Sequence, residues 1–329
     1  MIDSMLLPWI LALIAGVALA AVASAQAIKH ATAVAASSRL PPFIIGTTLV
    51  AVGTDLPEIA NSITASLAGH GDLNVGDSIG SAATQITLVL GLIPFLSRKP
   101  LDVPHKSLAP TAMSTAATLG LGLLLFSDGY ISRLDGLLLV LSWPLAFLSI
   151  YRWGEQPSDP PAPASEAEQA EQAEQTQQTQ RPSRLRAAMA ALGYFALVGM
   201  GAAIGVLSFA KLAEILGIPE YLISFFVASL ATSLPELLVD IAALRMGQPA
   251  MALGDAFGSS LVDTSLSVGI GPLIAPTSIN AELAVRGSTG ALLVLAVVTT
   301  TLMLSKTHNR FTGAIAIAAY FALYAVLLS

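Results

Sequence analysis

Long apolar stretches separated by short polar loops run along nearly the whole chain of 329 residues. Each is near or above the roughly 20 residues that an α-helix needs to cross the hydrocarbon core of a bilayer. The pattern therefore predicts an all-α membrane protein with ten transmembrane helices, at about residues 5–27, 41–69, 73–97, 107–127, 134–153, 187–209, 218–245, 249–275, 287–305 and 311–328. The second, third, seventh and eighth spans carry Gly, Pro and polar residues in mid-span, which is typical of broken or tilted helices that line a buried cavity.

Composition supports the membrane class and excludes several others. Hydrophobic residues make up 54% of the chain and charged residues only 11%, whereas soluble domains average about 25% charged residues. The chain has no cysteine, which excludes a disulfide framework, a thiolate metal site and a cysteine nucleophile. With a net charge of -6, we expect no nucleic-acid-binding surface.

The distribution of basic residues predicts the orientation in the membrane. Ala23-Ser24-Ala25 before Gln26 has the form of a signal-peptidase site, but no Lys or Arg precedes the apolar run, so we expect a retained first helix. If the N-terminus lies outside, the inside loops hold 12 of the 15 Lys and Arg residues. Cytoplasmic loops of membrane proteins are enriched in Lys and Arg. Both termini are therefore predicted to lie on the outer side of the cell membrane.

An internal repeat divides the chain. Displaced by 178 residues, Thr54-Asp55-Leu56-Pro57-Glu58 falls on Thr232-Ser233-Leu234-Pro235-Glu236, and 13 of 43 positions are identical between 49–91 and 227–269. The identities concentrate at polar, Gly and Pro positions, which composition bias does not explain. Five spans in each half place the second copy upside down, which is the inverted-repeat plan of secondary transporters. The predicted parts are a first five-helix repeat (1–153), a cytoplasmic low-complexity linker (154–186) and a second five-helix repeat (187–329).

The two repeats also carry acidic residues inside the spans. A carboxylate at the centre of a bilayer costs about 2.5–3.5 kcal/mol, and only Arg245, at a span end, lies near any of them in sequence. A bound cation or a proton is therefore needed to balance them. The acidic residues of the repeats are Asp55, Glu58, Asp77, Glu236, Asp240, Asp255 and Asp263.

Helical spacing groups these acids with hydroxyl and amide side chains. Residues four apart share one helix face, which gives the sets Thr54/Glu58, Thr232/Glu236, Asp77/Ser81/Gln85 and Asp255/Ser259/Asp263. Pro57 and Pro235 each remove a helical hydrogen bond and free a carbonyl oxygen. Such hard oxygen ligands suit Ca²⁺ and Na⁺ and do not suit zinc or copper.

Other polar residues have weaker signals. We expect Asp77 and Asp255 to be helix N-caps or vestibule residues rather than direct ligands. Asp240 is a less favoured candidate for a proton or ion relay. The histidines His30, His70, His105 and His308 lie at predicted span ends or in loops, where we expect no metal ligand.

The repeated motifs resemble those of the cation/calcium exchanger superfamily, the sodium/calcium exchangers in particular. That family's alpha repeats have the form G-T-S-x-P-E followed by G-N-x-x-G-S-N-x-x-[ND]. The first copy here is Gly53-Thr54-Asp55-Leu56-Pro57-Glu58 with Gly76-Asp77 and Gly80-Ser81-Ala82-Ala83-Thr84-Gln85. The second copy is Ala231-Thr232-Ser233-Leu234-Pro235-Glu236 with Gly254-Asp255 and Gly258-Ser259-Ser260-Leu261-Val262-Asp263.

The resemblance implies a ligand set by motif position. Glu58 and Glu236 match the family's central calcium-ligating glutamates, and Asp263 matches the acid or amide of the second motif. Hydroxyl or carbonyl contacts to ions are implied for Thr54, Ser81, Thr232, Ser233 and Ser259. Gln85 stands where the first repeat usually has Asn, and Asp55 stands where it usually has Ser.

The resemblance also implies a function. It implies an antiporter, not an enzyme, that moves Ca²⁺ outward against Na⁺ by alternating access, with no cofactor and no obligatory protein partner. A Ca²⁺/H⁺ exchanger with Asp55 as proton carrier, a Mn²⁺ or Mg²⁺ transporter and a channel stay open as alternatives. An intramembrane aspartyl protease using Asp77 and Asp255 is disfavoured because the Gly-x-Gly-Asp form is missing. The Ala- and Gly-rich first and sixth spans are either sliding elements or simply closely packed helices.

Overall fold

The computed structural model describes residues 2–35, 42–97, 99–154, 184–245 and 247–328, and these residues are mostly helical. The predicted linker 154–186 lies, apart from its ends, outside the described residues. The helices, in chain order, are α1 (Ile2–Ala35), α2 (Phe43–Thr54), α3 (Leu56–Ala68), α4 (Gly71–Leu96), α5 (His105–Leu125), α6 (Arg133–Trp153), α7 (Arg184–Leu216), α8 (Glu220–Arg245), α9 (249–274), α10 (Ala281–Leu304) and α11 (Arg310–Leu328).

Most of these helices are long and apolar enough to cross a membrane. Within the described residues, eight helices pass that test, or nine if α2 and α3, which meet at an angle of 44°, form one broken span. The remaining predicted span corresponds to α9, which is helical but carries buried acids and a run of serines that lower its hydropathy. The structure thus confirms a helical protein with many apolar spans, and the count of ten stays a prediction.

The helices near the repeated motifs are irregular at matching positions. Asp55 interrupts the helix between α2 and α3, and Ser233, 178 residues later, forms a turn inside α8. In the part of the chain that the structure describes, π-helical segments form two pairs with the same offset, at Gly46–Val50 and Ser224–Ala228, and at Gln85–Val89 and Asp263–Ser267. Such π-segments are frequent at functional sites, and the apolar pattern of the sequence does not reveal them.

Helices α4 and α9 form the centre of the molecule. In α4, 78% of the span is buried, whereas only 22% is buried in α1 and in α6. Glycines allow the close approach of neighbouring backbones: Gly76 of α4 lies against the carbonyl of Tyr221, and Gly254 of α9 lies against the carbonyl of Phe43. A Cβ atom at either glycine would clash with that carbonyl oxygen.

Residues that are equivalent under the 178-residue offset make equivalent contacts with the opposite half of the chain. Gly76 and Gly254 are equivalent positions 178 residues apart, and so are their partners Phe43 and Tyr221. Among the described residues, four short strands make a similar exchange, displaced by one or two residues from the 178-residue offset. The pairs are β1 (Leu101–Asp102) with β4 (Thr307–His308), and β2 (Tyr130–Ile131) with β3 (Thr277–Ser278), both antiparallel.

Helices α1 and α7 pack on one another at the edge of this core. Gly16 and Gly201 lie against each other's backbones, so their crossing leaves no space for a side chain. A small cavity separates this pair from the helix breaks, and it is lined by residues of both parts: Val17, Ala20, Ala21, Gly201, Gly205, Phe209, Pro57, Asn61, Ala231, Thr232 and Pro235.

One predicted loop histidine is an internal part of the fold. His308 is fully buried, and its Nε2 donates to the Leu90 carbonyl at 2.9 Å while its Nδ1 lies 2.8 Å from the Thr312 hydroxyl. Burial lowers the pKa of His308 below its ordinary value, so the ring is neutral and links β4 to α4. His70 instead lies 3.0 Å from a carboxylate oxygen of Glu220 at the partly exposed end of α3.

Candidate cation site

Two helix starts inside the protein position the central glutamates. α3 begins directly after the break at Asp55, and the second part of α8 (Leu234–Arg245) begins directly after Ser233. Each start carries a proline near its first position, where the missing N–H costs nothing. Glu58 and Glu236 lie in the first turns of these segments, where the helix dipole stabilises negative charge.

Three carboxylates converge between these helix starts. Oxygen atoms of Asp55, Glu58 and Glu236 lie within 4.8 Å of one another, and all three side chains are fully buried. In the described part of the chain, none of their oxygens has a hydrogen-bond donor. We call these residues the acidic triad. Three mutually close, buried carboxylates without donors require a cation or protons to balance them.

Hydroxyl pairs from both halves flank the acidic triad. The Thr54 and Ser259 hydroxyl oxygens are 3.3 Å apart, and the Ser81 and Thr232 hydroxyl oxygens are 3.2 Å apart. The two pairs are equivalent under the repeat offset, because each joins a helix break of one half to the central helix of the other. Thr232 is partly exposed toward the cavity beside α1 and α7, whereas the other three are buried.

The remaining predicted ligands are buried near the triad. Asp263 begins a π-segment of α9, and its carboxyl faces the side chain of Gln85, which begins the equivalent segment of α4. The Gln85 amide nitrogen and the Ser233 hydroxyl have no hydrogen-bond partner among the described residues. Gln85 accepts a hydrogen bond from the Ser260 hydroxyl at 3.4 Å. Nine of the ten predicted site residues are therefore buried and Thr232 is partly exposed, and only three of the ten belong to the triad.

The expectation that Asp77 and Asp255 cap their helices is wrong. The N-caps of the two helices are His70 and Gln248, so both aspartates lie well inside their helices and are buried. Asp77 accepts hydrogen bonds from the Asn61 amide at 2.5 Å and from the Thr232 hydroxyl at 3.2 Å. It therefore orients a predicted ligand.

Asn61 was missed by the sequence reasoning. It lies one turn after Glu58. A polar amide inside a predicted transmembrane span was the feature of the sequence that could have indicated a role for it.

Asp240 and Asp255 form a second acidic contact. Their carboxyls lie next to each other between α8 and α9, both side chains are fully buried, and the Ser259 hydroxyl lies beside Asp255. Asp240 also lies close enough to Glu236 for the two carboxylates to interact electrostatically.

The donor set of the whole region consists of oxygen atoms. The ion pairs in the described residues all lie elsewhere, so no Lys or Arg side chain neutralises the buried acids there. Carboxylate, hydroxyl and amide oxygens fit hard cations such as Ca²⁺ and Na⁺. The buried carboxylates without a donor are Asp55, Glu58, Glu236, Asp240, Asp255 and Asp263.

Comparisons with known proteins agree with this chemistry. Residues 8–151 and 187–329 match the sodium/calcium exchanger protein family. The putative antiporter CaxA of Alkalimonas amylolytica is 29% identical over 91% of this chain and 92% of its own length. The sodium/calcium exchanger MaX1 of Methanosarcina acetivorans is 26% identical over 82% and 84%. In structure, the sodium-calcium exchanger NCX_Mj shares the fold, with a TM-score of 0.64 and 23% identity over 97% of this chain and 99% of that chain.

Proposed function

We propose, from the premise that the chain belongs to the sodium/calcium exchanger protein family, that it exchanges Na⁺ for Ca²⁺ by alternating access. As a member of this family, the protein is a multi-span membrane cation exchanger. Calcium moves outward and sodium moves inward, and both ions use one set of buried oxygen ligands. The transported ions are substrates, and the exchange involves no covalent chemistry.

The acidic triad carries this proposal. At the 4.8 Å that bounds its oxygen separations, two unit charges repel by about 3–4 kcal/mol at an effective dielectric constant of about 20. An empty, fully ionised triad is therefore strongly disfavoured, and a bound cation relieves the repulsion. Because the same carboxylates serve both ions, occupancy by Ca²⁺ excludes Na⁺ from the triad.

The ligand set that we propose combines the triad with its flanking oxygens. Glu58 and Glu236 supply one charged ligand from each repeat. The hydroxyl pairs lie beside them, and Asp263 adds a further carboxylate to the same region. The proposed ligands are Thr54, Asp55, Glu58, Ser81, Gln85, Thr232, Ser233, Glu236, Ser259 and Asp263.

The proposed architecture is ten spans in two inverted repeats (1–153 and 187–329). The helix breaks and π-segments that recur after 178 residues support it. The exchanged contacts of Gly76 and Gly254 support it as well. In this arrangement the triad lies between the repeats, where transporters with discontinuous helices hold their substrates.

The proposed setting is the cell membrane, with both termini outside and the 154–186 linker in the cytoplasm. The excess of Lys and Arg in the inside loops supports this orientation. The α1–α7 pair is proposed to slide over the core. The small cavity between this pair and Thr232 supports the idea, because it separates the pair from the ligand region.

A transport assay with two separate gradients tests the proposed coupling. Purified protein is reconstituted into proteoliposomes, and ⁴⁵Ca²⁺ uptake is measured with an outward Na⁺ gradient at equal pH, and then with a pH gradient without Na⁺. We expect uptake with the Na⁺ gradient only. Proteoliposomes with Glu58→Gln protein are the control for leak, and uptake equal to that control would reject the proposal.

A Ca²⁺/H⁺ exchanger of the same fold is the second candidate. Asp55 favours it, because this buried acid stands in the triad where the related motif has Ser. Uptake driven by the pH gradient alone would establish this candidate in place of the first.

A further inference from the structure

We propose that Asp240 and Asp255 form a second cation site, separate from the acidic triad, that holds one Na⁺ while Ca²⁺ occupies the triad. The proposal rests on the proposed function in one respect, since Na⁺ is taken as the available ion. It adds a site that the repeated motifs do not contain, because Asp240 lies outside them.

The geometry of the pair requires a positive charge. Asp240 comes from α8 and Asp255 from α9, and their carboxyls are in contact. All four carboxylate oxygens are buried, and in the described residues the Ser259 hydroxyl beside Asp255 is the one donor close to them. Two carboxylates in contact and removed from water, with a single hydroxyl beside them, are stable only when a cation lies between them or a proton joins them.

The equivalent position in the first repeat shows what the second repeat lacks. Asp77, which corresponds to Asp255, is satisfied by the amide of Asn61 at 2.5 Å. The residue corresponding to Asn61 is Val239, which has no donor, and its neighbour is the acid Asp240. The second repeat therefore replaces a hydrogen-bond donor by another negative charge, which makes a cation the natural partner of Asp255.

The available ligands select the kind of cation. The pair supplies at most four carboxylate oxygens, and the Ser259 hydroxyl lies beside Asp255. Ca²⁺ takes six to eight oxygen ligands and Mg²⁺ usually keeps several waters, whereas these oxygens are closed to solvent. Copper and zinc prefer nitrogen or sulfur ligands, and Mn²⁺ takes about six oxygen ligands in an octahedral arrangement, which is more than this pair supplies. A monovalent ion with few oxygen ligands, such as Na⁺, fits this site best.

Equilibrium binding of ²²Na⁺ to the purified full-length protein tests the proposal. ⁴⁵Ca²⁺ is present at a concentration that saturates the triad, and both isotopes are counted on the same sample. We expect the wild-type protein to bind about one Na⁺ per chain under these conditions. Asp240→Asn, which supplies an amide as Asn61 does in the first repeat, should abolish this Na⁺ binding and leave bound Ca²⁺ unchanged.

Matched variants separate this site from the triad. Asp255→Asn should give the same loss of Na⁺ binding as Asp240→Asn. In Glu236→Gln without Ca²⁺, one Na⁺ per chain should remain. Persistence of Na⁺ binding in both Asp240→Asn and Asp255→Asn would overturn the proposal.

The wild-type measurement also decides the question if the variants do not fold. Absence of Na⁺ from the Ca²⁺-saturated protein would mean that the pair holds a proton, and it would overturn the proposal. Failure of Ca²⁺ to bind at all would instead refute the proposed function. The difference in bound Na⁺ between Ca²⁺-free Glu236→Gln protein and the double variant Asp240→Asn/Glu236→Gln would then still test the pair by itself.

Discussion

Replacement of Asp55 by serine tests how charge is balanced in the acidic triad. The triad contains three carboxylate pairs within 4.8 Å, and each pair repels by about 3–4 kcal/mol when both members are ionised. Asp55 takes part in two of these pairs, so Asp55→Ser removes roughly 7 kcal/mol of repulsion from the empty site. Because this repulsion drives protonation of the triad, protons should compete with Ca²⁺ less strongly in the variant.

The assay compares the pH dependence of calcium flux in the two proteins. Na⁺-driven ⁴⁵Ca²⁺ uptake is measured from about pH 6 to 9 with the same pH on both sides. We expect wild-type uptake to rise by about tenfold or more over this range, and uptake by Asp55→Ser to change by less than about threefold without being abolished. Asp55→Asn, which keeps the size of the side chain, should behave like the serine variant.

A swap between the repeats provides a sharper control. Ser233 is equivalent to Asp55, so the double variant Asp55→Ser/Ser233→Asp moves the acid to the other helix break. If the charge itself sets the pH dependence, the swap should restore most of it. An unchanged pH profile in Asp55→Ser would refute the reasoning, because Asp55 would then point away from the ions. Complete loss of flux would make Asp55 obligatory and would favour the Ca²⁺/H⁺ exchanger.

Three further predictions concern the ligands, the linker and the fold. Glu58→Gln and Glu236→Gln should each reduce ⁴⁵Ca²⁺ flux to the level of empty liposomes while gel filtration shows intact protein, because a neutral amide cannot balance a divalent ion; near-normal flux in either variant would disprove the ligand assignment. Deletion of most of 158–180 should leave flux unchanged, since this low-complexity segment needs only enough length to join the two halves; loss of exchange in a correctly inserted protein would reveal a regulatory element. Burial lowers the pKa of His308, so the unfolded chain binds the extra proton and stability is lost as the pH falls below about 6.5. The thermal midpoint should therefore drop more between pH 7.5 and 5.5 in the wild-type protein than in His308→Gln, and equal drops would contradict this.

Much of the architecture could be predicted because apolar length and repeated motifs are strong signals. The predicted spans lie within a few residues of most helix bounds, although α1 and α7 extend further. A broken or tilted second span was expected from its mid-span Gly, Pro and polar residues, and the structure has a bend of 44° between Thr54 and Leu56. The inverted arrangement and the count of ten spans stay predictions. The span that is missing from the count corresponds to α9, which does not pass the test of length and hydropathy.

The details of the site depend on three-dimensional contacts that spacing along one helix does not contain. Asp77 and Asp255 were expected to cap their helices, although the predicted spans already began at 73 and 249, and the structure places both residues six positions after the helix starts at Gly71 and Pro249. The contact between Asp240 and Asp255 joins two helices, so a single-helix argument could not find it.

The π-segments escaped for a related reason. Each adds one residue to a helical turn, and the apolar pattern on either side is unchanged.

Release of ⁴⁵Ca²⁺ from preloaded proteoliposomes tests the central claim, that Na⁺ and Ca²⁺ exchange through one shared site, most directly. The loaded vesicles are diluted, at equal pH inside and outside, into medium without ⁴⁵Ca²⁺ that contains either Na⁺, unlabelled Ca²⁺ or choline. Because an empty acidic triad does not move easily, we expect rapid release into Na⁺ and into unlabelled Ca²⁺, and retention in choline. Equally rapid release into choline would contradict the account, because it would mean that calcium leaves without a counter-ion, as it does through a channel.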